Sequence, residues 1–436
     1  MRTTFIRTAV LPTAVLALLA AGCSQPATAP SPSASAATSA STEPVTLTVA
    51  TFNEFGYEEL FKEYTKLHPN VTITPKKAAT SNEARENYFS KLAAGSGLSD
   101  IEAIEVDWLP DVMQTADKLA DLTGDDVKGR WLDWKSAAAT TPDGKLVGFG
   151  TDVGPEAVCY RSDLFKKAGL PTDRAEVAAL LQGDWNKYFE VGKQFVAKSN
   201  GVAWYDSADA IMQGQINQVA NAFSSTSPEE TLIPLDQNQP VKDMYTSILQ
   251  ASVNDKLSAN LSQWSTDWTN AFQKSKFATM LCPGWMLGVV EGNAKGVSGW
   301  DVANVFPGGG GNWGGSYLTV PAQGKNTAAA RDLAAFLTAP EQQIAAFKSK
   351  GTFPSQVEAL KSPDLLGVTN KFFNNAPTGQ ILADRANAIT VNPFKGPQYF
   401  AVRQVVSDAI NRVDVTKKQD AATSWAQAVK EFNALG

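Results

Sequence analysis

The 436 residues exceed what one hydrophobic core ordinarily fills, so two lobes are expected. With 43% hydrophobic and 19% charged residues the chain is globular, and its net charge of −6 argues against a nucleic-acid partner. His68 is the single histidine, which removes most histidine-based triads and clustered histidine metal sites, and no cofactor or metal is expected.

Arg2 and Arg7 precede an apolar stretch from about Ala9 to Ala21. It has the layout of a signal peptide and is too short to span a bilayer as a mature helix. It ends Leu19-Ala20-Ala21-Gly22-Cys23, which resembles a bacterial lipobox, although Ala20 stands where that pattern prefers leucine. Cleavage before Cys23 would leave that cysteine carrying lipid; an ordinary secretory signal is the alternative. Ser24–Pro44 is almost wholly Ser, Ala, Pro and Thr, a composition expected to form a disordered tether.

Val45–Ala50 reads as a strand with Leu47 and Val49 on one face, ending at Thr51-Phe52-Asn53-Glu54. Tyr57, Leu60, Phe61, Tyr64 and Leu67 recur at helical spacing, and Pro69 stops that helix. Val71–Thr74 is a second strand, Glu83–Ala94 a second helix, and Ile101–Val106 a third strand running into Asp107-Trp108. This alternation predicts a mainly parallel sheet with helices on both faces. Ligands sit beyond the carboxyl ends of such strands, where Asn53, Glu54, Asp107 and Trp108 fall. Carboxylates and amides hydrogen-bond hydroxyls, and a ring offers an apolar face. Taken singly, each of these residues is equally well a helix cap or a solvated turn.

Lys145–Thr151 reads as a strand, followed by Asp152-Val153-Gly154-Pro155-Glu156. Asp184 caps a helix whose stripe of Trp185, Tyr188, Phe189, Gly192, Phe195 and Val196 is core. Val202–Tyr205 is a strand, and Asp206-Ser207 opens the next helix. Phe277–Cys282 is an apolar strand that stops in a turn at Pro283-Gly284, with Trp285 just past its end. Val302–Phe306 and Tyr317–Val320 are further strands, with Gly308–Gly311 and Gly314-Gly315 between them. These strand ends deliver Trp285, Trp313 and Tyr317 to one place, which suits an aromatic-lined cleft; a core with a glycine linker is the alternative. Cys159 and Cys282 both lie in predicted strands, and a disulfide and two buried free thiols remain alternatives. Late in the chain, Tyr399, Val402, Val406, Ala409, Ile410 and Val413 form one apolar helical stripe. Gly309-Gly310-Gly311-Asn312-Trp313-Gly314 fits a dinucleotide pattern literally, but the strand after it leaves no helix N-terminus for a pyrophosphate.

The chain resembles the solute-binding lipoproteins of bacterial sugar ABC importers, the group that includes maltose-binding protein. The resemblance covers nearly all of 45–436. It rests on Leu92–Gly97 with Asp100 and Asp107, Gly150–Phe165, Ala278–Trp285, Gly314–Val320, Ala330–Leu337 with Gly351–Pro354, and Tyr399-Phe400-Ala401-Val402-Arg403. It implies an α/β, two-lobe periplasmic-binding-protein fold with a hinge and a ligand cleft. One lobe would hold 45–152 and 315–355, the other 153–314 and 356–436. Residues matching the family's sugar contacts are Asn53, Glu54, Asp107, Trp108, Asp152, Trp285, Gly315 and Tyr399, with weaker matches at Trp204, Tyr205, Trp264, Trp313, Tyr317 and Arg403. The implied partners are a sugar and an ABC permease pair with its ATPase. The implied form is a monomer held to the outer face of the cytoplasmic membrane by the lipid on Cys23. Parts of the sequence resemble actinobacterial binders of cellobiose and xylobiose. Two rivals remain: a surface glycoside hydrolase using carboxylates such as Glu54 and Asp152, and a binder of another solute such as a polyol.

Overall fold

The computed structural model describes residues 43–226 and 230–435. The signal segment, Cys23 and all of the tether except Glu43 and Pro44 lie outside the described residues. In chain order the elements that matter for the site are β1 (Val45–Phe52), α1 (Glu58–Leu67), β2 (Val71–Ala78), α2 (Ser81–Ala93), β3 (Ile101–Glu105), β4 (Gly148–Gly150), β5 (Asp152–Val153) and β6 (Glu156–Arg161). They continue with β7 (Ala203–Tyr205), α3 (Ala208–Ile216), β8 (Phe277–Pro283), α4 (Gly284–Asn293), β9 (Trp300–Ala303), β10 (Ser316–Thr319), β11 (Phe353–Pro354) and α5 (Tyr399–Asp414).

The first sheet has five strands in the order β2-β1-β3-β10-β4. Alternation places Leu47 and Val49 of β1 wholly inside. At the centre, Ile101, Ala103 and Ile104 of β3 are all buried, as expected for a strand covered on both faces. β1 runs parallel to β2 and β3, but β10 runs antiparallel to both β3 and β4. The sheet is therefore mixed, not mainly parallel. The reason lies in the route of the chain: Ser316 pairs with Glu105 at the carboxyl end of β3, so β10 enters from that end instead of through a helical crossover.

The second sheet has four strands in the order β9-β6-β8-β7. β6 is antiparallel to β8 and β9, and β7 is parallel to β8. Each sheet has apolar clusters on its faces: Leu47, Val49 and Leu318, and Ile104, Trp108 and Tyr317, belong to the first, while Val158, Leu281 and Trp204, and Cys282, Met286 and Val302, belong to the second. Cys159 and Cys282 are diagonal neighbours on β6 and β8, with Cα atoms 5.5 Å apart, and are joined in a disulfide. That outcome decides between the two alternatives left open by spacing. The expected turn at Pro283-Gly284 is instead the start of α4. Pro283 holds the cap position, where its missing N–H costs no intrahelical bond.

Three passages of chain join the sheets and lie side by side. Residues 151–156 occupy the middle. Thr151 N donates to Ser316 O (2.9 Å), Trp313 N to Gly154 O (2.8 Å) and Glu156 N to Gly311 O (3.0 Å) on one edge. On the other edge β5 pairs with β11, and Ser355 N donates to Thr151 O (3.4 Å). A Cβ on Gly154 would stand 1.8 Å from the Trp313 carbonyl oxygen, so only glycine permits this approach.

Candidate ligand-binding cleft

A cleft of about 430 Å³ opens at the carboxyl ends of the first sheet's parallel strands. From that side come Phe52, Asn53 and Glu54 after β1, Thr80, Ser81 and Asn82 at the start of α2, and Glu105 and Asp107 at the end of β3. The crossing passages add Asp152, Trp313, Gly314, Gly315, Ser316 and Thr352. The opposite wall is Asp209 and Gln213 on α3, Ser262–Trp264, Trp285 and Val289 on α4, and Phe400, Arg403, Gln404, Ser407, Asp408 and Asn411 on α5.

One wall is aromatic. Trp285 donates its Nε1 hydrogen to the Trp313 carbonyl at 2.8 Å, which fixes its ring. Trp264 lies nearly parallel to Trp285, with centroids 6.0 Å apart, and Trp313 meets it edge-on at 5.6 Å. Trp264 has φ +70, which costs roughly 1–3 kcal/mol for such a side chain and must be held by its surroundings. Asp206 supplies the hold. Its Oδ2 accepts from Gln263 Nε2 and Trp268 Nε1, both at 2.8 Å, on either side of Trp264. Burial pushes the Asp206 carboxyl up to about 6, opposed by these two hydrogen bonds.

The floor and the facing wall are polar. Asp152 Oδ1 accepts from Thr151 Oγ1 (2.7 Å) and Ser316 N (3.0 Å). Burial raises its carboxyl, and the ammonium of Lys135 opposes that rise. Glu105 Oε2 accepts from Asp107 N at 2.8 Å. Burial, reinforced by the charge of Asp107, pushes Glu105 up to about 8, and Lys395 works against it. Beneath the floor, wholly buried Lys135 places Nζ 4.0 Å over the Tyr317 ring. Burial draws this ammonium down to about 7, against the pull of Asp152 and Glu105. Gly315 has φ +105, and a Cβ there would lie 2.6 Å from the Asp152 carbonyl oxygen. Its bare backbone lets the floor form.

Asp107 is paired with Lys395, and Glu54 with Lys77 and, at 3.4 Å, with Lys350. Burial alone would raise the Glu54 carboxyl, but the two lysines hold it below its ordinary range. Arg403 is anchored by Gln213 Oε1 (2.8 Å from Nε) and by Asp209 Oδ1 (2.7 Å from Nη2). Its buried Nη1 has no protein partner among the described residues.

The structure thus brings together Asn53, Glu54, Asp107, Asp152, Trp285, Gly315, Trp264, Trp313 and Arg403. Trp108, Tyr399, Trp204, Tyr205 and Tyr317 do not line the cleft and are corrected to core positions. Trp108 faces away from the cleft that Asp107 lines. It packs on Tyr88 and Phe89 and donates Nε1 to Ser81 Oγ at 3.0 Å, so it positions a lining residue from behind. Tyr317 points to the opposite face from Ser316, as strand alternation requires. Trp204 and Tyr205 pack with Tyr188, and Tyr399 packs with Phe223, inside the core of the second sheet.

Several lining residues escaped the sequence reading: Thr80–Asn82, Glu105, Asp209, Gln213, Ser262, Gln263 and the outer face of α5 other than Arg403. For α5 the signal was present. Arg403, Gln404, Ser407, Asp408 and Asn411 recur at helical spacing opposite the apolar stripe of Val402, Val406 and Ala409.

Residues 59–371 match the model of the bacterial extracellular solute-binding protein family. The chain belongs to that family. Like one of its structural counterparts, a solved extracellular solute-binding protein family 1 member, this solute-binding protein has the expected two-lobe α/β fold. The two are 50% identical with a TM-score of 0.78, over 90% of this chain and 99% of the other. It is also 26% identical to the arabinooligosaccharide-binding protein of Bacillus subtilis (strain 168), covering 93% of this chain and 94% of that one. The ABC transporter associated binding protein of B. animalis subsp. lactis Bl-04, solved with β-1,6-galactobiose, shares the fold at 21% identity and a TM-score of 0.76, over 89% and 97% of the two chains. Among the described residues no helix is long and apolar enough to cross a membrane.

Proposed function

We propose that this solute-binding protein captures an oligosaccharide between its two walls and delivers it to an ABC permease pair without cleaving it. The observation that carries this reading is the wall of Trp264, Trp285 and Trp313 in a cleft that also presents carboxylates, amides, hydroxyls and one arginine. A sugar ring has C–H bonds on its faces and hydroxyls at its edge. Tryptophan faces cover the first, and the polar set satisfies the second. A buried hydroxyl left unpaired costs about 1–3 kcal/mol, so the polar set governs selectivity. The names of two relatives, an arabinooligosaccharide binder and a protein solved with a galactobiose, support the same ligand class.

Of the cleft's carboxylates Glu54 is unsuited to the acid's role in a hydrolase, because two lysines hold it ionised. Burial raises the carboxyls of Asp152 and Glu105, however, so the test below also looks for cleavage. In this reading the lobes are 45–152 with 315–355 and 153–314 with 356–436, and they close over the ligand about the crossing passages. Cys23 carries the lipid that keeps the protein at the outer face of the cytoplasmic membrane. The test is a thermal-shift and tryptophan-fluorescence screen against arabino-, galacto-, cello-, xylo- and malto-oligosaccharides, with chromatography of the sugar afterwards. Stabilisation by one class, with the sugar recovered intact, is the expected result. No response across the panel refutes carbohydrate binding, and sugar breakdown establishes the hydrolase instead.

A further inference from the structure

Residues 388–398 run without helix or strand between the preceding helix and α5. They belong to the second sheet's side, where Phe394 N donates to Ala220 O at 2.7 Å and Tyr399 enters the core. Yet the segment touches the first sheet's side in several places. Lys395 Nζ pairs with Asp107, and their side chains are 9% and 14% exposed. Gln398 N donates to Asp111 Oδ1 at 3.2 Å. Arg85 of α2 pairs with Asp111 Oδ2 at 2.8 Å and lays its guanidinium 4.5 Å from the centroid of the Phe400 ring. Phe400 packs against the first sheet's core although its neighbour Tyr399 packs in the second's.

Lysine is rarely buried to this degree without a partner, because its charge must leave water. Asp107 also lines the cleft, and the pairing engages its Oδ1, leaving Oδ2 as the oxygen available to a ligand. We propose that Lys395 is a positioning residue for ligand binding: reaching over from the far wall, it fixes Asp107 toward the ligand and fastens the two walls together once the ligand is in place. The ligand class rests on the carbohydrate reading above, whereas the Lys395–Asp107 contact does not. A pair that merely stabilised the fold would leave ligand release unchanged.

The test compares the native chain with Lys395→Met and Lys395→Arg, using arabinotriose and β-1,6-galactobiose as probes in stopped-flow tryptophan fluorescence. Removing one partner of a buried charge pair acts mainly on dissociation. Lys395→Met is expected to release the probe at least about tenfold faster with a much smaller change in association, and Lys395→Arg to recover most of the native lifetime. Release at the native rate from Lys395→Met overturns the proposal. Where Lys395→Met does not fold, Lys395→Gln replaces it. Should the native chain bind neither probe, the carbohydrate reading fails for those sugars, and the contact is judged without ligand. A double-mutant cycle on thermal unfolding then compares Lys395→Met, Asp107→Asn and the double variant. A combined shift smaller than the sum of the two supports the pair, and additive shifts overturn it.

Discussion

Gly315 and Gly95 both hold the backbone at positive φ, +105 and +67, but only one has room for a side chain. At Gly95 nothing lies within 4 Å of an added Cβ. Alanine there meets only the cost of the left-handed backbone, about 1–2 kcal/mol. At Gly315 the Cβ would sit 2.6 Å from the Asp152 carbonyl oxygen and 3.0 Å from Lys135 Nζ. The oxygen is backbone in a crossing passage and cannot swing aside as a side chain would. Strain of roughly 1–3 kcal/mol and overpacking of roughly 1–3 kcal/mol add, so Gly315→Ala is expected to cost about 2–6 kcal/mol. It should also displace Asp152 and Ser316 and weaken sugar binding, while Gly95→Ala leaves affinity native. Urea unfolding with a common slope measures the first effect, and calorimetric titration the second. If Gly315→Ala lies within about 1 kcal/mol of Gly95→Ala and binds normally, the described floor is wrong.

Trp285→Ala is expected to weaken sugar binding at least about tenfold, since the ring supplies a large apolar face, whereas Trp185→Ala, a core change near Gln218, should lower stability with affinity nearly native; titration of both variants checks this. Removing the Cys159–Cys282 disulfide by replacing both residues with alanine should cost about 3–5 kcal/mol, because the bond closes a sequence separation of 123 residues; urea midpoints with and without reductant measure it. Glu156 is wholly buried, and burial pushes its carboxyl up to about 8, opposed by the Asn217 hydrogen bond and by Lys395. Its folded value lies above the unfolded one, so between about pH 4.5 and 8 the native state holds the extra proton and this group's contribution to stability falls as pH rises. Glu156→Gln should flatten the stability profile over that window, and an unchanged slope would refute the assignment.

Strand ends were the most legible part of the site. Asn53 and Glu54 could be placed because period-2 alternation and the helix that follows show where β1 stops, and Asp107 because the run Ile101–Val106 ends in Asp107-Trp108-Leu109-Pro110. Aromatic residues were less legible. Trp108 and Trp285 each follow a strand, but one turns into the core and the other onto the cleft, and that difference lies in the packing beyond them. Composition cannot express it, since a large ring suits both places. The direction of β10 was hidden for another reason: a short apolar run reads the same whether the chain enters from either end. Glu105 escaped because it lies within the predicted strand and not beyond its end, and the disulfide stayed open because spacing along the chain does not reveal register between strands.

The middle crossing passage, 151–156, is bonded along one edge to 311–316 and along the other to 353–355. A narrow ribbon of this kind bends readily across its face but resists sliding, because sliding would break its cross-links together. Under the closure proposed above, this ribbon leaves the two walls essentially one rotational freedom, so that they return to the same registry each time they meet. Asp152 and Gly315 lie on these crossing passages, as does Trp313, which carries the aromatic wall across to them. In that closure they form a landing that keeps its place, so a ligand settles on its final footing before the walls meet.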